Sequence, residues 1–337
     1  MTLFNLTTTL SGADWSEFVL KNPIGTIFHT PQMKDVYIKT KGYQPILLAV
    51  TDNSGNILAL VNAVLMKEKS KFLEAFSARS IIFGGPIFEN TKEGQEAVLF
   101  LMGEYEKVIG KQALYSEIRN IYDMSEFNLL FNQSGYFLED HLNYITDLKR
   151  SEKEVWSDVH RSMRKNITKA QKNGILVKEV IDRNQVKIFY NFLKETYRNA
   201  KKPIMDLSYF EAIFDILVPM GMAKFHLAEY KDNYIGGRAT LMYKNVIYAH
   251  YVSTSSEYKN LNPNALLNWE IISWGIKNGY HVFDFGGAGS PKEEYGVREF
   301  KKQFGGQLVN YGRYKKIHSP IKTGIADLGF KVYRHLK

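Results

Sequence analysis

The sequence predicts an α/β chain (α+β in the stricter sense) of two similar domains, each a mixed, mostly antiparallel sheet flanked by helices. Three observations carry this. A chain of 337 residues that is 45% hydrophobic and 23% charged is larger than one core readily fills, because single cores stop growing near ~250–300 residues. Strand-like meanders stand in both halves. After each comes the same order of helix, glycine and strand, the copies lying about 170 residues apart, which marks an internal duplication.

In the first half the apolar runs Pro45–Val50 and Ile57–Met66 flank the turn signal Asp52–Gly55 and read as a hairpin. A helix over Ala97–Ile109, Gly110 and a strand over Ala113–Ile118 follow. In the second half His226–Tyr230, Tyr234–Tyr243 and Val246–Ser253 form the meander, and a helix over Ala265–Lys277, Gly279 and a strand over His281–Phe285 repeat the order. Ala265, Trp269, Ile272 and Ile276 make one buried stripe, and Gly279 stands where a left-handed helix end wants glycine. The predicted domains are 1–150 and 151–315, with a helical carboxyl-terminal segment at 316–337.

The absence of cysteine excludes disulfides, thiolate nucleophiles and cysteine metal sites. Apolar runs fall short of the roughly 18–20 residues that span a bilayer, and the amino terminus lacks the pattern of a signal peptide, so a cytoplasmic location is expected. A formal charge of +9 favours an anionic partner: tRNA, a nucleotide sugar, coenzyme A or an anionic lipid head group.

Between the halves Ser151–Asn173 reads as one helix with Val159, Met163, Ile167 and Ala170 on its apolar face. Its other face carries Arg161, Arg164, Lys165, Lys169 and Lys172, cations whose mutual repulsion an anion would relieve. It reads as a solvated face or as a phosphate track. Near the end, Ile321, Ile325, Leu328 and Val332 lie beside Lys322, Lys331, Arg334 and Lys337, as in a helix packed on the body or an interfacial basic helix, weakened by Gly324 and Gly329.

The segment Phe283–Pro291 breaks a strand-like run into Gly286, Gly287 and Gly289, a loop able to present backbone amides to an oxyanion or phosphate. After it come Gly296-Val297, then Phe300-Lys301, then Phe304-Gly305-Gly306 and a strand-like Gln307–Tyr314. This succession resembles the carboxyl-terminal signature of the Fem-type aminoacyltransferases, which extend peptidoglycan side peptides using aminoacyl-tRNA. Arg164–Gly174 and Asn262–Glu270 resemble that family's basic helix and helix-opening segment. The resemblance covers 150–315, and the first half by architecture.

The resemblance implies two tandem acetyltransferase-like (GNAT) domains, with the transfer site in the second. It places Lys301, beside Phe300, at the acyl-transfer centre, where an ammonium stabilises a developing oxyanion. Tyr209, Tyr251, Gly286, Gly287, Arg161, Arg164 and Lys165 are the expected substrate contacts. His250, alone in its strand, reads either as a structural hydrogen-bonding residue, the commoner case, or as a general base or substrate contact beside Tyr251. The implied donor is aminoacyl-tRNA and the acceptor an amine of a nucleotide- or lipid-linked envelope precursor, met at the inner membrane face. Neither a metal, a resident cofactor nor DNA is implied.

The turn Glu257–Asn264 has no glycine, and Pro263 no amide donor. That argues against coenzyme A in the usual pose of this fold. The sequence departs from the family at Met205, where members acting on muropeptide precursors carry an arginine; Arg198, Lys201 and Lys202 lie close by. A phosphate-gripping lysine of the first domain has no match around Gln32–Lys39. Two alternatives stand beside the main reading: an acyl-CoA-dependent N-acyltransferase acting on a sugar, polysaccharide precursor or small amine, and a non-catalytic basic protein that binds RNA or a membrane surface.

Overall fold

A computed structural model describes residues 4–67 and 77–326. In chain order they form β1 (Asn5–Thr7), α1 (Gly12–Lys21), α2 (Pro31–Lys39), β2 (Tyr43–Thr51), β3 (Ile57–Met66), β4 (Arg79–Phe83), β5 (Ile87–Phe88), α3 (Lys92–Ile109), β6 (Tyr115–Arg119), α4 (Asn128–Gln133) and β7 (Phe137–Glu139). Then come β8 (Leu142–Asp147), α5 (Glu152–Asp158), α6 (Arg161–Lys172), β9 (Leu176–Glu179), α7 (Arg183–Asn199), α8 (Leu207–Leu217), β10 (Ala223–Tyr230), β11 (Asn233–Tyr243) and β12 (Val246–Thr254). The last elements are α9 (Pro263–Lys277), β13 (Val282–Gly287), α10 (Gly296–Lys302), β14 (Gln307–Asn310) and β15 (Arg313–Ile317).

Two compact units result: the described residues of Met1–Asp140 with those of Tyr311–Lys337, and His141–Asn310. The chain therefore divides ten residues earlier than the expected 150, and the expected end at 315 falls inside β15. The reason is non-local pairing. Strand β8 enters the second sheet between β13 and β14, while β15 returns to the first between β6 and β7.

In the first unit the described strands run β1-β2-β3-β4-β6-β15-β7, with β5 beside β3. Every residue of β3 is buried, as its unbroken apolar run requires of a strand covered on both faces. The Asp52–Gly55 turn closes the β2–β3 hairpin: the Asp52 carboxylate accepts from the Ser54 and Asn56 amides, and Gly55 takes φ 87°. His318 bonds Ser116, and Thr323 bonds the Leu114 carbonyl. Residues 320–326 are helical, with Ile321 and Ile325 exposed; Leu328, Gly329, Lys331, Val332, Arg334 and Lys337 lie outside the described residues.

The second sheet runs β14-β8-β13-β12-β11-β10-β9. Helix α9 is buried nearly all round, more widely than one stripe requires. Gly275 explains how close it lies: a Cβ there would stand 2.5 Å from Ile247 Cδ1. The single helix expected over Ser151–Asn173 is instead α5 and α6. Val159 is extended (φ −62°, ψ 128°) and His160 caps α6, its side chain accepting from the Ser162 amide. Apolar spacing runs in phase across this corner, so Val159, Met163, Ile167 and Ala170 all reach the core.

The corner is pinned to the chain after α10. The His160 amide donates to the Gln303 carbonyl at 2.8 Å, and at Gly305 (φ 78°) a Cβ would lie 2.4 Å from the Asp158 carbonyl oxygen. Gly279 also has a positive φ, 75°, but open space around it. Equilibrium urea unfolding should therefore separate two chemically identical substitutions. Gly279→Ala costs about 1 kcal/mol from the left-handed backbone alone, and Gly305→Ala about 3 kcal/mol because a backbone clash is added. Equal losses would show that the Gly305 approach is not tight.

Candidate active site

Strands β12 and β13 pair in parallel only over Val246–Tyr248 against Val282–Asp284. Beyond that the two strands separate, and Ala249–Val252 on one side and Phe285–Gly287 on the other line a cavity of about 530 Å³. Such a splay leaves backbone groups unpaired, and each must find another partner. On β13 three consecutive carbonyls find the same one: Lys301 Nζ donates to Phe285 O at 2.5 Å, Gly286 O at 2.9 Å and Gly287 O at 2.9 Å.

Local anchors set this geometry. Phe304 packs on Phe285 and Phe300 (ring centroids 5.3 and 5.4 Å), which seats α10 on β13. The Arg298 guanidinium donates to the Ser290, Ala288 and Glu293 carbonyls and closes the intervening loop. Gly286, at φ 71°, turns the strand, and its amide donates to Asp284 Oδ1 at 2.7 Å. That carboxylate also accepts from Asn143 Nδ2 at 2.9 Å.

Burial pushes the Asp284 carboxyl up, opposed by the Gly286 amide, Asn143 and the Lys301 charge. Burial pulls the Lys301 ammonium down to about 8; Asp284 opposes the shift and Arg238 adds to it. Lys301 is thus held by hydrogen bonds to three backbone carbonyls, and Asp284 by hydrogen bonds from the Gly286 amide and the Asn143 side chain.

The cavity walls are aromatic: Tyr197, Tyr251, Tyr295 and Phe300. Lys202 lies over the Tyr295 ring at 5.6 Å. Tyr251 packs edge-on against Phe210 and donates to Met205 Sδ at 2.8 Å; the residue that departs from the family pattern thus buttresses this tyrosine. His250 lines the cavity, and its Nε2 lies 2.8 Å from the Tyr209 hydroxyl. Burial pulls His250 down to about 3, so the ring is neutral and too weak a base to accept a proton from an ammonium at neutral pH.

Five residues expected at the site line this cavity together: Lys301, Phe300, Tyr251, Gly286 and Gly287. Tyr209 does not. It is 3% exposed and stands behind His250. Arg161, Arg164 and Lys165 also lie off the cavity lining, because α6 turns its apolar face to the core and its basic face outward. Arg164 is committed to the end of α5, donating to the Trp156 and Ser157 carbonyls. The glycine loop presents carbonyls to Lys301 rather than free amides to a ligand, since the Gly286 and Ala288 amides are taken by Asp284 and by the Leu142 carbonyl.

Sequence reasoning missed Asp284, Asn268 and Arg238. Arg238, on β11, is 1% exposed and lines the cavity. Its guanidinium lies over the Phe283 ring and donates to Asn268 Oδ1 at 2.8 Å and Thr240 Oγ1 at 3.3 Å. Charged residues inside otherwise apolar strands were the available signal, since such residues are rarely buried without a purpose. Among the described residues no group of His, Asp and Glu could hold a metal ion, and no helix is long and apolar enough to cross a membrane.

An acetyltransferase (GNAT) domain family model matches residues 157–302, the segment that holds α6, the splayed strands and α10. The lipid II:glycine glycyltransferase of Staphylococcus epidermidis strain RP62A is 22% identical over 95% of this chain and 96% of its own length. That of Staphylococcus haemolyticus is 21% identical over 60% of this chain and 66% of its own. Among solved structures, FemX aligns with a TM-score of 0.72 at 16% identity, covering 96% of this chain and all of its own. A tandem GNAT protein from the clavulanic acid pathway aligns at 0.59 and 7% identity, over 94% of this chain and 99% of its own. These likenesses show an acyltransferase on tandem acetyltransferase-like domains that is similar to the Fem-type aminoacyltransferases.

Proposed function

We propose that the protein moves an aminoacyl group from aminoacyl-tRNA to an amine of a lipid- or nucleotide-linked peptidoglycan precursor at the cytoplasmic face of the membrane. The observation that carries this reading is the cavity between β12 and β13, walled by aromatic rings and bordered by a half-buried ammonium. The glycyltransferase relatives, named for action on lipid II, support the acceptor class.

In the proposed reaction the acceptor nitrogen attacks the ester carbonyl carbon and the carbonyl π pair moves onto oxygen. Collapse re-forms the C=O bond, expels the ribose 3′ oxygen and leaves an amide, and the proton lost by nitrogen ends on the leaving oxygen. Lys301 supplies positive potential beside the developing charge and reaches it by releasing one of its three carbonyls. His250 holds Tyr209 and the cavity wall.

The entry to α9 supports tRNA over coenzyme A as carrier. Asn262 is left-handed (φ 60°), Pro263 has no amide hydrogen, and the Ala265 and Leu266 amides both donate to the Asn262 carbonyl. Few amides face outward to cradle a pyrophosphate there. On α6, Arg161, Lys165 and Lys172 are exposed and are the phosphate contacts of this reading, while Lys169 donates to the Asn260 carbonyl and Arg164 is committed to α5.

Incubation with charged tRNAs, acyl-CoAs and lipid II, read by mass, should give an acceptor heavier by one aminoacyl residue from the tRNA donor alone; product from acyl-CoA only would overturn the carrier. Lys301→Met should lower kcat by about 10²–10³-fold in protein that still unfolds cooperatively, with a lower midpoint because the Phe285, Gly286 and Gly287 carbonyls lose their donor. The pH sign follows from the direction of the shift: with its pKa at about 8, Lys301 is charged below that pH and loses its charge above it. The rate should fall as pH rises through about 8, and Lys301→Arg, which stays charged, should abolish that limb. Replacing Arg161, Lys165 and Lys172 by Gln should raise KM for the tRNA donor and flatten its salt dependence by about two to three units of slope. An unchanged slope would detach α6 from the carrier.

A further inference from the structure

Arg238 is a buried cation. Among the described residues no carboxylate forms an ion pair with it, and its side-chain partners are the neutral Asn268 and Thr240. Its Nη2 has no hydrogen-bond partner although the atom is shielded from solvent. Asn268 is itself held: its Nδ2 donates to the Asn264 carbonyl and Oδ1, both at 2.8 Å. The guanidinium is therefore braced from β11, α9 and the Phe283 ring, with one edge uncommitted, in a residue that lines the cavity.

Keeping such a group dry costs folding free energy unless an anion offsets it. Burial pulls its pKa down only to about 9, so the charge is present at neutral pH. The contrast with Lys301 is informative. All three ammonium hydrogens of Lys301 are taken by Phe285, Gly286 and Gly287, and Lys202, the other lysine bordering the cavity, is exposed and stacked on Tyr295. Of these three cations, Arg238 alone combines a place in the cavity lining with a buried N–H that has no partner.

We propose that Arg238 Nη2 donates to the carbonyl oxygen of the acyl group as it becomes an oxyanion, forming with Asn268 a preorganised subsite that Lys301 supplements. This rests on the transfer reading above. It makes Arg238 a catalytic residue whose interaction strengthens as charge moves from the C=O π bond onto oxygen and is released when the C=O bond re-forms.

The test has two arms. In the first, Arg238→Lys and Arg238→Gln are assayed with saturating acceptor. Arg238→Gln should lose about 10²–10³-fold in kcat with the donor KM within about threefold, and Arg238→Lys should recover part of the loss. In the second, the wild-type protein labelled with ¹⁵N in arginine side chains is titrated with methylphosphonate, a tetrahedral anion, and with its adenosine 3′ ester. The Arg238 resonance, assigned by its absence in Arg238→Lys, should shift saturably with both and stay fixed with adenosine.

A shift with methylphosphonate but none with the ester would keep the subsite and remove the nucleotide carrier from the transfer reading. A resonance that moves with neither anion, or a kcat loss matched by a rise in KM and a fall in thermal midpoint, would overturn the proposal and leave Arg238 a structural residue. The titration needs no variant to fold beyond the one used for assignment.

Discussion

The site depends on one interaction, the closure of a lysine ammonium onto three successive carbonyls at the end of a strand that has left its neighbour. Placing an ammonium in a half-buried site costs several kcal/mol unless its hydrogens are met, and an unpaired strand end leaves carbonyls that need donors. Each problem is the solution of the other. Around it, Gly286 adopts a conformation that favours glycine, Asp284 is buried where it accepts from the Gly286 amide, and Phe304 and Arg298 hold α10 in place so that Lys301 reaches Phe285, Gly286 and Gly287.

The meanders, the two main helices and the duplicated order were legible because their causes are local. Alternating or unbroken apolar runs, glycines at left-handed ends and a Pro263 helix start declare themselves within a few residues. The exchange of β8 and β15 was not legible, since pairing Arg313 with Arg119 and Asn143 with Val309 involves partners up to two hundred positions apart. The corner at Val159-His160 was hidden for another reason: the apolar phase continues across it, so periodicity sees one helix where the backbone makes two.

At the site, the signature residues Phe300, Lys301, Gly286 and Gly287 came together, with Tyr251 of β12 beside them. The residues that tune them did not announce themselves. Asp284 sits between two phenylalanines in a core strand, Asn268 lies in a helix that reads as packing, and Arg238 follows two glycines whose small size is itself required, since a Cβ at Gly237 would stand 2.8 Å from Phe189. Their significance is electrostatic and arises only when β11, α9 and β13 are assembled. The basic helix shows the converse, a pattern conspicuous in the sequence whose Arg164 serves mainly to finish the preceding helix.

The balance of charge in the cavity therefore favours readiness over stability, with one buried and one half-buried cation, a buried carboxyl group and a neutral histidine in the wall. The central claim is that Lys301 is an ammonium locked by backbone carbonyls, and its Nζ is directly observable. A ¹⁵N-lysine NMR titration, assigned with Lys301→Arg, should reveal one slowly exchanging ammonium whose pKa is displaced from the ordinary lysine range to about 8. A signal that exchanges as fast as surface lysines and titrates near the ordinary value of about 10.4 would contradict the account.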